Sequence, residues 1–254
     1  MAAEPSPTLS LLDATYPRLR AFAPTVAVLP WGATEAHGGH LPHGTDVYEA
    51  SAIAARAAEL AHLQGARPVV LPTIPFGNDE QQLDQVATIS ITTPTAAAML
   101  RDVVRSLLRQ RIFRLAILNG HGGNEFKPIV RDIFGAHPEM RMVVMNFWQL
   151  APYPHDLRVA HNPGDHADEM ETSLMLHVAP HLVRLEDRGD GRRQTTWVDA
   201  LTRPGAWTPR PWSLCHPDTG SGDASYASPE KGRAFFDQVT AAAADVILAL
   251  ARAT

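Results

Sequence analysis

Cysteine is all but missing from this chain: Cys215 is the single one among 254 residues. That excludes an intramolecular disulfide framework and any zinc site built on thiolates. Basic runs are missing too. The 22 Lys and Arg residues are outnumbered by 27 acids, for a net charge of −5, so the chain lacks the cationic footprint that nucleic acid requires. No apolar run approaches the length of a membrane span. The first ten residues carry neither the basic nor the apolar region of a secretory signal. The expectation is a cytoplasmic protein with a small-molecule substrate, no nucleic acid and no membrane partner. Hydrophobic residues make up 45% of the chain, enough for a substantial core.

Apolar runs and helix-period segments alternate along the sequence. Val26-Ala27-Val28-Leu29, Val69-Val70-Leu71, Leu115-Ala116-Ile117-Leu118 and Met142-Val143-Val144-Met145 read as strands, the first ending at Pro30. Their continuous apolarity suggests cover on both faces. Helices are expected over residues 46–63, 94–110, 125–136, 166–178 and 230–252. The first opens on Asp46 as a cap with Glu49 three residues on, the second on Thr93 followed by Pro94. The alternation argues for an α/β fold with a mainly parallel sheet, in one domain over residues 1–254. Residues 1–10 are expected to be flexible. Residues 186–229 are rich in Gly, Pro, Arg and Asp yet hold Trp197, Trp207 and Trp212. That much indole suggests an ordered irregular excursion over a site or subunit contact; a solvated tail is the alternative.

Three clusters could carry chemistry. Residues 35–46 place Glu35, His37, His40, His43 and Asp46 in a glycine-rich stretch after the first strand. Imidazole nitrogen and carboxylate oxygen together are the donor set of Zn²⁺ or Mn²⁺. Glu35 and His37, two apart, point the same way in extended backbone. Asp46 alone would read as a helix cap; beside Glu35 and His37 it reads as a ligand. His40 and His43 read equally well as loop histidines.

The second cluster is Asn119-Gly120-His121-Gly122-Gly123-Asn124, between the third strand and a helix. Ligands gather outside the carboxyl ends of strands in open α/β sheets. A tight turn explains the glycines, but not a histidine flanked by two asparagines. His121 reads as a ligand. Gly122, Gly123 and Asn124 read as substrate contacts, since free amides at a helix start suit an oxyanion.

The third cluster runs from Asp165 to Ser173. Met170, Leu174 and Val178 recur at four-residue spacing, which marks a buried stripe. His166 and Glu169 share a helical face, so geometry pairs them as catalytic candidates. Glu171 turns to nearly the opposite side from Glu169, and one of the two glutamates is expected on the solvated surface. Trp148, just after the fourth strand, is either a wall of the substrate pocket or part of the core.

A parallel sheet can bring these clusters to one edge. Their donors suffice for two adjacent ions bridged by a carboxylate, for which Asp46 is the candidate. A carboxylate-rich site with open positions suits activation of water.

The chain resembles the creatininase (creatinine amidohydrolase) family. The likeness rests on Leu29 to Gly38, His40-Leu41-Pro42 with Gly44-Thr45-Asp46, Asn119 to Asn124 and His166 to Leu176, supported by Thr88-Ile89-Ser90 and Glu230-Lys231-Gly232-Arg233. It extends over roughly residues 25–252, and its motifs are specific only in combination. It implies a three-layer α/β/α fold, a centre of two divalent metals (zinc, manganese or iron), hydrolysis of non-peptide C–N bonds in cyclic amides or formamides, and a homo-oligomer, commonly a hexamer. By motif position Glu35, His37, Asp46 and His121 become ligands, Asp46 the bridge, and Glu171 the last ligand. That conflicts with the face argument for Glu169. His166 falls where a proton donor or substrate contact is expected.

Two departures stand out. Asp168 replaces a usual glycine, and Gly122-Gly123 stand where creatininase itself has Tyr-Glu, which weakens creatinine as the substrate. The family also includes a formylaminopyrimidine deformylase, a peptidase of a redox-cofactor pathway and a hydrolase of inositol breakdown. A non-catalytic metal-binding member of the fold is one competing reading. A metal-dependent phosphoesterase using Arg192 and Arg193 is another.

Overall fold

The computed structural model describes residues 9–151 and 164–253. Most of the stretch expected to be flexible at the amino end lies outside the described residues, as do residues 152–163. Leu9 and Ser10 are placed: the Val70 amide donates to the Leu9 carbonyl at 2.9 Å, and Ser10 bridges Val70.

The strands are β1 (Val26–Trp31), β2 (Pro68–Val70), β3 (Arg114–Asn119) and β4 (Arg141–Asn146). They pair in the order β2-β1-β3-β4, all parallel. The expected strands are all found, with ends shifted by one or two residues. Pro30 lies inside β1 rather than at its end. Its carbonyl still accepts from the Ile74 amide at 3.1 Å, so only its missing amide is lost from the ladder, on the side where the short β2 stops at Val70.

The helices are α1 (Tyr16–Phe22), α2 (Thr45–Leu63), α3 (Thr93–Arg109), α4 (Phe126–Ala136), α5 (Phe147–Leu150), α6 (Glu169–Val178), α7 (Trp197–Leu201), α8 (Trp212–Cys215) and α9 (Pro229–Arg252). The period of two along the strands divides the core. Val26, Val28, Ala116, Leu118 and Met145 face α2, α6 and α9. Ala27, Leu29, Trp31, Leu115 and Ile117 face residues of α3 and α4, including Leu100, Val104, Ile129 and Ile133. The result is the three-layer α/β/α arrangement. By length and apolarity α9 could cross a membrane, but Phe235, Val239, Ala243 and Ile247 are buried in the core it shares with α2.

Helix α2 is alanine-rich, which favours helix. Its small buried stripe of Ala50, Ala54, Ala57, Ala58 and Ala61 lets it sit close to the sheet. Its first turn is pressed between the carboxyl ends of β1 and β3. A Cβ on Gly32 would stand 2.7 Å from the Val47 nitrogen and 2.8 Å from the Asp46 carbonyl carbon; one on Gly120 would stand 2.9 Å from the Asp46 carbonyl oxygen. These two glycines admit the backbone that carries Asp46.

Three helix starts differ from expectation. Asp46 caps nothing: the N-cap of α2 is Gly44, and no side chain caps it. Helix α3 begins at Thr93 after Thr92, whose hydroxyl does not cap it. Helix α6 begins at Glu169, so His166 precedes it and does not share a helical face with Glu169. Asp168 supplies the cap, accepting from the amides of Met170 and Glu171. A carboxylate that bonds those amides stops the helix there and leaves His166 in extended backbone bridged to Ser221.

Because α2 abuts Gly32 directly, Gly32→Ala is expected to destabilise the protein by about 1–3 kcal/mol through overpacking. A thermal unfolding curve lowered by several degrees checks this, at about 2–4 °C per kcal/mol for a chain of this size.

Candidate metal centre

β1 lies between β2 and β3. The chain leaves β1 toward β2 on one side and later returns to pair β3 on the other. The carboxyl ends of β1 and β3 therefore form a switch point, with Trp31 in register with Asn119, and crevices at such points hold ligands. Glu35 and His37 leave β1 there, His121 leaves β3 there, and α2 brings in Asp46. The loop before α6 adds His166, and the first turn of α6 adds Glu171.

The five expected ligands meet. His37 Nε2 is 3.1 Å from Asp46 Oδ1. His121 Nδ1 is 2.8 Å from Glu35 Oε1 and 3.0 Å from Asp46 Oδ2. Potential ligand atoms of Glu35, Asp46 and His121 lie within 4.8 Å of one another, as do those of His37, Asp46 and Glu171. Asp46 belongs to both triads. A third triad joins Glu35, His37 and His166. Asp46 Oδ2 is buried, and despite its 3.0 Å approach to His121 it has no partner in hydrogen-bond geometry. His37 Nε2 bonds Asp46 Oδ1, but the second Asp46 oxygen is left open toward Glu35 and His121, as a shared ligand would be. Mixed imidazole and carboxylate donors fit a divalent zinc or manganese ion.

The rear of each imidazole is held. His37 Nδ1 donates to the Glu35 carbonyl at 3.1 Å, leaving Nε2 toward Asp46. His121 Nε2 lies 3.2 Å from the Asn78 carbonyl and 2.9 Å from Asp79 Oδ1. His166 Nε2 donates to the Ala36 carbonyl at 2.7 Å. A carbonyl can only accept, so Nδ1 of neutral His166 carries the lone pair, 3.9 Å from Glu35 Oε1. The His166 ring also lies 4.1 Å from that of His37 and 4.9 Å from that of Trp212.

Burial dominates the protonation of the cluster. It pushes the Glu35 carboxyl up to about 7 against the opposing His121. It pushes Glu171 up to about 8 against the opposing His37. Burial pulls His37 down, but the Asp46 carboxylate outweighs it and holds the imidazole up at about 10. Burial would raise Asp46, yet the His37 and His121 imidazoles hold it below the usual carboxylate range. Burial, reinforced by the charge on His37, holds His166 well below its ordinary value.

The remaining candidates are distributed as follows. Glu169 is 1% exposed and paired with the Lys231 ammonium at 2.6 Å; Glu171 accepts from the Ala167 amide. Neither glutamate is on the solvated surface, contrary to expectation, because α6 is buried on two sides, by the cluster and by α9. Asn124 is turned into the loop, donating to Asn119 Oδ1 at 3.1 Å and accepting from the Asn78 amide at 3.2 Å. Asn119 also accepts from the His121 amide and donates to the His121 carbonyl. The two asparagines brace the loop that aims His121. His40 Nε2 contacts Thr172 Oγ1 at 2.8 Å and His43 Nε2 donates to the Val86 carbonyl at 2.9 Å, so neither joins a triad.

A cavity of about 1390 Å³ opens over the cluster, lined in part by Gly122, Gly123, Trp148, Trp207 and Arg210. Trp148 both lines it and packs on the core beside Phe147. Within residues 186–229 Trp212 is buried, while Trp207 is 83% exposed at the cavity. Arg193 is paired with Asp199 at 2.7 Å and Arg192 with Asp190 at 3.4 Å. Sequence reasoning missed Asp79 and Gln82, which stand behind His121 and Glu35. Their one signal was position, in a polar loop after β2 at the same edge of the sheet.

Residues 13–247 match the creatininase (creatinine amidohydrolase) family. The chain belongs to the creatininase family. Its members are hydrolases acting on C–N bonds. The creatinine amidohydrolase of Pseudomonas putida is 31% identical over 243 residues, covering 87% of this chain and 88% of its own. A mycofactocin precursor peptide peptidase of Mycobacterium ulcerans is 29% identical over 241 residues, covering 91% and 85%. A Bacteroides fragilis protein provisionally named creatinine amidohydrolase superposes with a TM-score of 0.92 at 34% identity, over 98% of this chain and 99% of that one. A variant creatininase of Zn–Zn type superposes with a TM-score of 0.78 at 26% identity, over 95% and 98%. The α/β/α fold of this creatininase-family chain is thus shared along nearly its whole length.

Two outcomes follow from the donor geometry. Glu171→Gln is expected to lower the bound metal from two ions to one per chain, while Glu169→Gln keeps both; elemental analysis after reconstitution separates them. Metal can bind only deprotonated ligands. With Glu35 raised to about 7, Glu171 to about 8 and His37 to about 10, uptake at pH 7 must release protons. Calorimetric enthalpy that varies with buffer ionisation checks this, and affinity should rise as pH increases from 6 to 8.

Proposed function

We propose that this chain is a metal-dependent amidohydrolase that cleaves a non-peptide C–N bond of the cyclic-amide or formamide type. Two divalent ions, zinc or manganese with iron as a further choice, would be held by Glu35, Asp46 and His121 on one side and by His37, Asp46 and Glu171 on the other. The observation that carries this reading is the position of Asp46, common to both donor triads. When bound, such a pair polarises a carbonyl and makes hydroxide available near neutral pH.

The chain's own groups divide the remaining work. His166 Nδ1 has its lone pair toward the cluster because Nε2 is committed to Ala36. It takes the proton of the attacking water and passes it to the departing nitrogen. Burial, which keeps this imidazole neutral in the resting state, supports that role. Gly122 and Gly123 line the cavity next to His121 and would offer amides to the oxyanion. Trp148 would wall the substrate. Glu169, neutralised by Lys231, is assigned a structural tie between α6 and α9. Asn124 is assigned to loop bracing. The enzyme would be a cytoplasmic homo-oligomer, a hexamer by family resemblance.

The size of the cavity favours a second reading. At about 1390 Å³ it exceeds the roughly 300–1,000 Å³ usual for small-molecule pockets, and relatives include a peptide peptidase. A short peptide is therefore the main alternative substrate. An inositol derivative, a phosphate ester or a non-catalytic role ranks lower.

Protein reconstituted with zinc or manganese should turn over a member of a panel of lactams, cyclic ureas, formamides and short peptides. Failure on the whole panel with both ions bound would overturn the enzymatic reading. Within an active reaction, His166→Ala is expected to lower kcat by about 10²- to 10⁴-fold with the metal content unchanged.

A further inference from the structure

The segment from Asn78 to Gln82 supplies no ligand to either triad, yet its buried polar groups converge on one of them. Asp79 is 1% exposed and neither of its oxygens has a partner in hydrogen-bond geometry. A buried carboxylate left so is costly unless a charge compensates it. The compensating group is His121, whose Nε2 lies 2.9 Å from Asp79 Oδ1, on the side of the ring away from Glu35 and Asp46. The Asn78 carbonyl lies 3.2 Å from the same nitrogen. Gln82, 2% exposed, donates through Nε2 to Glu35 Oε2, while Glu35 Oε1 faces His121.

The segment is itself fixed. The Asp79 amide donates to Ser90 Oγ at 2.9 Å, Ser90 Oγ donates to Glu80 at 2.9 Å, and the Gln82 amide closes a turn on the Asp79 carbonyl at 2.8 Å. The Asn78 amide is tied to Asn124 in the His121 loop. The triad of His37, Asp46 and Glu171 is supported differently. Its rear contacts are the Glu35 carbonyl and the Ala167 amide, both outside this segment.

We propose that Asp79 and Gln82 are positioning residues that set the metal affinity of the Glu35–Asp46–His121 position alone, Asp79 by fixing and polarising His121 and Gln82 by orienting Glu35. The inference rests on the two-ion reading above. A carboxylate behind a ligating imidazole holds its tautomer and ring plane and raises its basicity toward the ion. A neutral amide behind a carboxylate leaves one oxygen free to bind. The two ion positions then differ in kind: one is backed by charge from a separate loop, the other by main chain.

The test is titration of metal-free full-length protein with Zn²⁺ and, separately, Mn²⁺, read by calorimetry and by elemental analysis after gel filtration. Wild type should take two ions. Asp79→Ala is expected to weaken one binding event about 10- to 100-fold and leave the other within about threefold. Asp79→Asn, which keeps an acceptor but not the charge, should fall between. Gln82→Ala should weaken the same event. Circular dichroism of the metal-free variants reports folding, and the nearly isosteric Asp79→Asn carries the test if Asp79→Ala does not fold. Two ions bound to Asp79→Asn and Gln82→Ala with wild-type affinities would overturn the inference while leaving the two-ion reading intact. Equal weakening of both events would also overturn it. A wild-type protein that takes only one ion overturns the two-ion reading and this inference with it.

Discussion

The structure depends on the burial of several ionisable groups around one carboxylate. Glu35, His37, Asp46, His121, His166 and Glu171 are all nearly withdrawn from water, and Asp46 is the group to which both triads belong. An isolated carboxylate in such surroundings would cost far more than folding can supply. In the protein alone the cost is met by protonation and by close imidazole–carboxylate contacts, which is why Glu35 and Glu171 rise and His37 is held charged. Divalent ions would answer the same constraint, and the sharing of Asp46 by both triads matches that need. Glu49, one turn after Asp46 in α2, extends the acid cluster: burial, reinforced by Glu171, raises its carboxyl well above the ordinary value.

The remaining architecture serves the approach of these groups. The strand order turns at β1, so its carboxyl end and that of β3 stand side by side with no strand between them. Gly32 and Gly120 leave room for the first turn of α2 against those ends. Without that room Asp46 could not stand between residues from two different strands. Alanine along the inner face of α2 continues the close approach, while α6 and α9 close the layer behind it. The site is thus a consequence of how tightly one helix seats on a parallel sheet.

Control of the imidazoles comes from their rear nitrogens. Each of the three has one nitrogen occupied by a carbonyl, which leaves the other pointing inward in a defined state. His121 has an additional carboxylate behind it in Asp79. A histidine placed by main chain alone and one backed by charge are electronically different ligands. On the proposed two-ion reading, that difference would make the two positions chemically distinct.

Much of this was legible in order. Strand–helix alternation and continuous apolar runs determined the α/β class, because covered parallel strands must be apolar on both faces. The proximity of Glu35, His37 and Asp46 within twelve residues, and the histidine at a strand end, marked the gathering place, because open sheets expose their carboxyl edge to ligands. What the chain could not reveal alone was the direction of each side chain. Whether Asp46 caps a helix or leaves its cap to Gly44, which of Glu169 and Glu171 meets Lys231, whether Asn124 faces substrate or loop, and that Asp79 stands behind His121 were decided by tertiary contacts. The reason is range: a motif specifies which groups are available over a few residues, but Lys231 lies 62 residues beyond Glu169 and Asp79 reaches His121 only once the sheet is assembled.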